Sequence, residues 1–155
     1  MTDRILTRLE SLGLSLPPAA PSRAMFLPFR VSNNWVFLAG QVSEWNGTVK
    51  YAGKVGCALD VAAGQKAAQM CMLNLLFNLR AACDGDFGRV RQCIRVGGFV
   101  NCEGDFPDAP KVIDGASQLL IDLFGDAGRH ARTTVGVAAL PANAAVEVDA
   151  IFEIG

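Results

Sequence analysis

The chain predicts an α+β fold: a two-layer sandwich whose mostly antiparallel or mixed six-stranded sheet carries two helices on one face, with a short helix in front. Three observations carry this. Six strand-length apolar runs are scattered over the sequence, several with an alternation of about two residues. Two longer stretches, near residues 59–82 and 109–124, change to a period of about 3.6. Turn-forming Asn, Gly and Pro residues separate the runs. Helices interleaved with strands in this order cover one face of a sheet.

The elements follow in order. Thr2-Asp3 caps a short helix with Ile5, Leu6, Leu9 and Leu12 along one side, and Gly13 ends it. Pro17, Pro18 and Pro21 then exclude regular structure, so residues 1–24 form a helix and a proline-rich linker ahead of a domain at 25–155. The helix's apolar stripe needs a surface, on its own domain or on a neighbour. Met25–Arg30 and Trp35–Val42 read as strands around an Asn33-Asn34 turn, and Asn46-Gly47 signals a type I′ hairpin before Thr48–Tyr51. From Leu59 to Ala82, Ala68, Cys71, Met72, Leu75, Leu76, Leu79 and Ala82 form one helical stripe, with Asp60 at its start and Gly85 beyond its end.

Arg89–Cys102 returns to alternation, with Val90, Ile94, Val96 and Val100 on one face. Gly97-Gly98 inside it signals a bulge or a close backbone approach. Asp108-Ala109-Pro110 starts a helix striped by Val112, Ala116, Leu119, Leu120, Leu123 and Phe124, which Gly125 ends. The last runs flank Leu140–Asn143 and read as a hairpin. Val135 and Val137 share its apolar face with Val148, Ala150 and Phe152; Arg132, Thr134, Glu147 and Asp149 take the other.

Composition narrows function. The 155 residues make one domain of common size, 51% hydrophobic, with mean hydropathy +0.29. No apolar run reaches the roughly 18 residues of a membrane span and no signal-peptide pattern opens the chain, so the apolar excess points to subunit contacts. Net charge is -1, the isoelectric point is near 5.8, and basic residues form no run, which argues against nucleic acid. Five cysteines without CxxC spacing read as reduced thiols of a cytoplasmic protein, Cys71 and Cys83 as small core residues. A single histidine, His130, builds no metal site.

In the expected hairpin Arg132 lies opposite Glu153, and Glu147 opposite Ala138. Some six residues of strand, roughly 20 Å, then separate Arg132 from Glu147. Two readings stay open. One is a cross-strand Arg132–Glu153 ion pair worth under about 1 kcal/mol. The other is a site to which a second copy brings its Glu147.

The segment VFLAGQV at Val36–Val42, Asp105-Phe106, and the terminal Ala131-Arg132, Val135-Gly136-Val137, Leu140-Pro141, Val146-Glu147-Val148 and Ala150-Ile151 together resemble the Rid (YjgF, reactive-intermediate deaminase) family, also labelled L-PSP endoribonuclease. The resemblance covers about Met25 to Ile154, and the N-terminal helix resembles a subgroup with an extended start. It implies a chorismate-mutase-like fold and a homotrimer with ligand clefts between subunits. It further implies hydrolysis of enamine or imine intermediates to 2-oxo acids and ammonia, with no cofactor and no metal. By position, Arg132 is the clamp for a substrate carboxylate and Glu147 holds water. That chemistry suits a guanidinium fork and a nearby carboxylate.

Phe26, Ala39, Gly40 and Thr134 join Arg132 as substrate-binding positions. Phe26 stands where deaminating members carry tyrosine, Ala39 where they carry serine, Thr134 where they carry cysteine, and His130 where they carry proline. Two hydroxyls are thus lost, each worth about 0.5–1.5 kcal/mol net. Gly40 offers a backbone N–H to a ligand or simply packs. Three function classes follow: an imine deaminase, a non-catalytic sensor of a small carboxylate (an imino or 2-oxo acid), and, against the charge pattern, a ribonuclease or translation inhibitor.

Overall fold

The computed structural model describes residues 3–21 and 25–155. It contains helices α1 (Arg4–Ser11), α2 (Val61–Ala82) and α3 (Ala109–Phe124), and strands β1 (Phe29–Ser32), β2 (Trp35–Val42), β3 (Glu44–Trp45), β4 (Thr48–Val49), β5 (Val90–Asn101), β6 (Ala131–Val137) and β7 (Val146–Ile154). Five strands form one mixed sheet in the order β1-β2-β7-β5-β6, and β3 and β4 form a separate two-stranded ribbon. The α+β sandwich is as the sequence predicts. The hairpin at Asn46-Gly47 pairs off instead of widening the sheet.

That turn carries the expected chemistry: Asn46 and Gly47 both adopt positive φ, 50° and 82°, as a type I′ turn demands. Helix α2 is capped by Asp60, whose side chain accepts from the Ala63 N–H at 2.8 Å. Its stripe is buried as far as Leu79, with Cys71, Met72, Leu75, Leu76 and Leu79 completely so and Ala82 partly. Asn74 on the same side donates to the Val42 and Glu44 carbonyls at 3.0 and 2.7 Å, tying the end of β2 to the helix. Where α3 crosses α2, a Cβ on Gly115 would overlap the Gln65 backbone, so only glycine permits this approach. Four of the five free thiols, Cys71 and Cys83 among them, are buried, and burial pushes the Cys93 thiol up to about 12.

Helix α1 covers its own domain. Asp3 caps it by accepting from Ile5 N–H at 2.9 Å, and Ile5 and Leu9 enter the main core. Thr2, and residues 22–24 beside the boundary expected at 24 and 25, lie outside the described residues. The first sheet strand is Phe29–Ser32, shifted from the expected Met25–Arg30: among the described residues the ladder to β2 begins at Phe29, with only the Pro28 carbonyl bonded to β2 ahead of it. In β5 the register shifts come at Val90/Gln92 and Cys93/Arg95, ahead of the glycines; Gly97 and Gly98 instead accept close approach by Asp149 and Ile113. The second shift leaves Cys93 and Val96, three residues apart, both facing the core, with Ile94 between them half-buried.

The terminal hairpin is not formed. β6 pairs only with β5, in parallel, and β7 lies between β2 and β5. The cause is burial. Val146, Val148, Ala150, Phe152 and Ile154 are all buried on one face of β7, which needs sheet neighbours on both sides, whereas β6 exposes most of its residues and suits an edge. The connection, with positive φ at Ala142 and Asn143, is long enough to pass the end of β5. One consequence reverses the expected faces. Arg132 aligns with Val96 and Ala150 and Thr134 with Gly98 and Val148, so both point to the helix side. Val135 aligns with Phe99 and Glu147 on the open side. Glu153 pairs with Trp35 and accepts from Gln92 at 2.7 Å, which removes the Arg132–Glu153 ion pair. The helices cover one face only. The other presents Trp35, Phe37 and Val135, each more than 40% exposed, beside Phe99 and Ile151.

Candidate functional site

The predicted residues separate into two groups. The first is built on β6 and α3. Edge strand β6 places Arg132 against the helix, where its Nη1 donates to Asp114 Oδ1 at 2.8 Å and to Ser117 Oγ at 3.1 Å. Its Nη2 donates to the Pro110 carbonyl at 3.2 Å. Among the described residues three of the five guanidinium N–H donors are engaged, leaving Nε–H and one Nη2–H. The Asp114 carboxylate is 59% exposed, so this ion pair is worth under about 1 kcal/mol; it aims the guanidinium without neutralising it deeply. Thr134, two residues on, buries a hydroxyl that has no hydrogen-bond partner among the described residues.

Two further polar groups join Arg132. His130 Nε2 lies 2.9 Å from Ser117 Oγ, and His130 Nδ1 lies 2.7 Å from the Gly128 carbonyl oxygen. Burial lowers the imidazole's pKa and the neighbouring Arg132 lowers it further, against the Gly128 carbonyl, which raises it. Ser117, Ile121, Arg129, His130 and Arg132 line a groove of about 220 Å³. Asp114 and Ser117 are not among the positions that the sequence motifs mark. A signal existed: Pro110, Asp114, Ser117 and Ile121 repeat at helical spacing along one line of α3, beside the apolar stripe.

The second group lies on β2 and β7. The pairing of these strands shifts between Leu38 and Gln41, so Ala39 and Gly40 form an irregularity. The Glu147 carboxylate occupies the space that a Cβ at residue 40 would fill, and glycine is the residue that lets it lie on the β2 backbone. Glu147 is half-buried, and burial, then the charge of Asp149, pushes its pKa up. Ala39 is half-buried, and its N–H donates to the Pro28 carbonyl at 2.9 Å. Phe26 lies just before this segment and is 52% exposed.

Glu147, Gly40 and Ala39 therefore come together, and so do Arg132 and Thr134. The two groups do not meet. They stand on opposite faces of the sheet, β5 between their strands, roughly 10 Å apart across the sheet and roughly 10 Å along it. Among the described residues no cluster of His, Cys, Asp and Glu has the geometry of a metal site, and no helix is long and apolar enough to cross a membrane.

Residues 6–154 match the family model described as "YjgF/chorismate_mutase-like, putative endoribonuclease". The Trypanosoma cruzi protein TCP17 is 38% identical over 154 residues, 99% of this chain and 96% of its own. The crystal structure of an Agrobacterium tumefaciens protein of unknown function superposes with TM-score 0.92 at 42% identity, covering 98% of this chain and 93% of that one. A Shewanella oneidensis structure titled a "putative endoribonuclease" gives TM-score 0.92 at 31% identity, covering 99% and 100%. With its sheet order, its one-sided helix layer and these matches over nearly its whole length, this chain belongs to the YjgF/chorismate-mutase-like, L-PSP endoribonuclease family.

Proposed function

We propose that the chain works as a homotrimer whose clefts each combine the Arg132–Thr134 group of one copy with the Glu147–Gly40–Ala39 group and Phe26 of the next. Each cleft binds a small carboxylate, an imino or 2-oxo acid, and hydrolyses enamine or imine intermediates to 2-oxo acids and ammonia. The observation that carries the reading is the state of Arg132: an oriented guanidinium on an edge strand with two N–H donors unspent among the described residues. A carboxylate on those donors makes charge-assisted bonds stronger than the exposed Asp114 contact it competes with. Glu147, desolvated and without a cation among the described residues, suits the holding and orienting of water. The open apolar sheet face supplies the surface for assembly. The crystal structure of Escherichia coli TdcF, of the same fold at 19% identity and TM-score 0.61, contains bound serine, itself a small carboxylate.

Ala39 and Phe26 favour a second reading, a trimer that binds the carboxylate without turning anything over, because neither side chain offers a hydroxyl to water or ligand. Ribonuclease activity gains nothing from a single histidine and a chain of net charge -1. A coupled assay on freshly generated 2-aminoacrylate separates the first two. Ammonia release well above the spontaneous rate, reduced about 10²-fold or more in Arg132→Ala, is the expected result. Absence of turnover alongside Arg132-dependent binding of a 2-oxo acid selects the sensor.

A further inference from the structure

We infer that Ser117 and His130 form the proton relay of the Arg132 half of the cleft, standing in for the hydroxyls absent at Phe26 and Ala39; this rests on the imine-hydrolase reading above.

The hydrogen bonds define the relay's direction. The Gly128 carbonyl only accepts, so the His130 Nδ1 that lies 2.7 Å from it carries a proton. In the neutral ring Nε2 is then bare, and it accepts the Ser117 O–H at 2.9 Å. Ser117 Oγ simultaneously accepts from Arg132 Nη1 at 3.1 Å, so the hydroxyl is polarised from both sides. When His130 takes a second proton, Nε2–H donates to Ser117 Oγ and the hydroxyl hydrogen turns toward the groove. The pair thus accepts a proton from the groove in one state and returns one in the other. All three side chains line the same 220 Å³ groove, so Ser117 and His130 stand in the cavity beside the guanidinium that takes the ligand carboxylate.

The step balances from the iminium form of the substrate. Water adds to the C=N carbon, and the proton it sheds passes through Ser117 to His130 Nε2, leaving a neutral carbinolamine. The imidazolium returns that proton through Ser117 to the amine nitrogen. The C–N bond breaks as the hydroxyl oxygen forms the C=O bond, and the departing ammonia takes that hydroxyl's proton, so the products are a 2-oxo acid and ammonium and His130 is neutral again.

Among the described residues the charged groups on the elements packed around His130 are Arg132 on β6, Asp114 on α3, and Arg129 with its ion-pair partner Asp126 in the preceding turn. His130 is needed neutral for the first proton transfer, so kcat is expected to fall as pH drops through the imidazole's lowered pKa, on the acid side of the ordinary value of about 6.5. Initial rates of ammonia release from 2-aminoacrylate between about pH 5.5 and 8.5, with pyruvate binding measured in parallel, test this on wild type, His130→Gln and Ser117→Ala. The expected result is a kcat lower by about 10²-fold in both variants, with pyruvate Kd within about twofold of wild type. The acid limb is lost in His130→Gln. Unchanged kcat with the limb intact in the variants overturns the relay and leaves carboxylate binding standing. No turnover by wild type overturns both the relay and the hydrolase reading. Should His130→Gln fail to fold, Ser117→Ala alone gives the same kcat and binding readouts, because it leaves the Asp114–Arg132 pair in place.

Discussion

The Arg132 and Glu147 halves of the proposed cleft solve opposite electrostatic problems. Around Arg132 every charge has company: Asp114, Ser117 and the Pro110 carbonyl hold the guanidinium, and burial lowers the pKa of the His130 imidazole beside it. Around Glu147 the sheet supplies burial and a second carboxylate, Asp149, with no cation on Glu147 itself among the described residues. Asp149 differs from its neighbour, since Arg95 and the Gly97 N–H partly offset its burial. A fold that can place an arginine against a helix and leave a carboxylate pressed on a bare strand is not balancing the two within one chain. The difference teaches that each half is incomplete where the other is rich.

Gly40→Val breaks the comparison most severely. The new side chain takes the space of the Glu147 carboxylate, which is the mobile end of a long side chain and swings away. The fold is retained, and turnover falls by about 10²-fold, the usual effect of misplacing a reacting group by an ångström. Circular dichroism and the ammonia assay check both parts.

The two halves should also titrate with opposite signs. Glu147 has a folded-state pKa above its ordinary 4.5, so the native state binds more protons. Stability is then greatest below that value and is lost as pH rises through the raised pKa. His130 has a folded-state pKa below 6.5, so the native state binds fewer protons. Its contribution is present above 6.5 and is lost as pH falls from there through the lowered pKa. Urea unfolding across this range should show the Glu147 slope removed in Glu147→Gln and the His130 slope removed in His130→Gln. A Glu147→Gln protein with an unchanged profile contradicts the desolvated carboxylate.

How much of this was legible in the chain depended on whether burial or pairing carried the information. Helix α2 reads directly, because its stripe, its Asp60 cap and its length leave no alternative. The Asn46-Gly47 turn reads for the same local reason, a positive φ at both positions. The partner of β7 does not read. Alternation at Val146–Ile154 tells that one face is buried and says nothing of which strands lie on either side, so the intervening β5 was invisible and the faces of β6 came out reversed. Arg132 and Glu147 stand out from the strand pattern and take their roles from the family motif; Asp114, Ser117 and the contact to His130 depend on a helix meeting an edge strand, a tertiary fact that a parallel β5–β6 pair creates.

The smallest expected effect concerns the clamp. Asp114→Asn keeps an acceptor for Arg132 and removes an exposed charge. Stability should fall by less than about 1 kcal/mol, and a 2-oxo acid should bind up to about fivefold more tightly as the guanidinium is relieved of its counter-ion. Isothermal titration measures the second quantity; binding abolished by this change would make Asp114 part of the ligand's own contacts.

The central claim, that a working cleft draws its guanidinium and its carboxylate from different copies, is tested most directly by mixing. Arg132→Ala and Glu147→Gln chains, each inactive alone, are unfolded together at equal concentration and refolded. Random assembly into closed rings restores about a quarter of the clefts to the native pair, so about a quarter of wild-type ammonia release should return. A mixture no more active than its parents would place both groups in one chain's own site, or outside the site altogether, and would contradict the account.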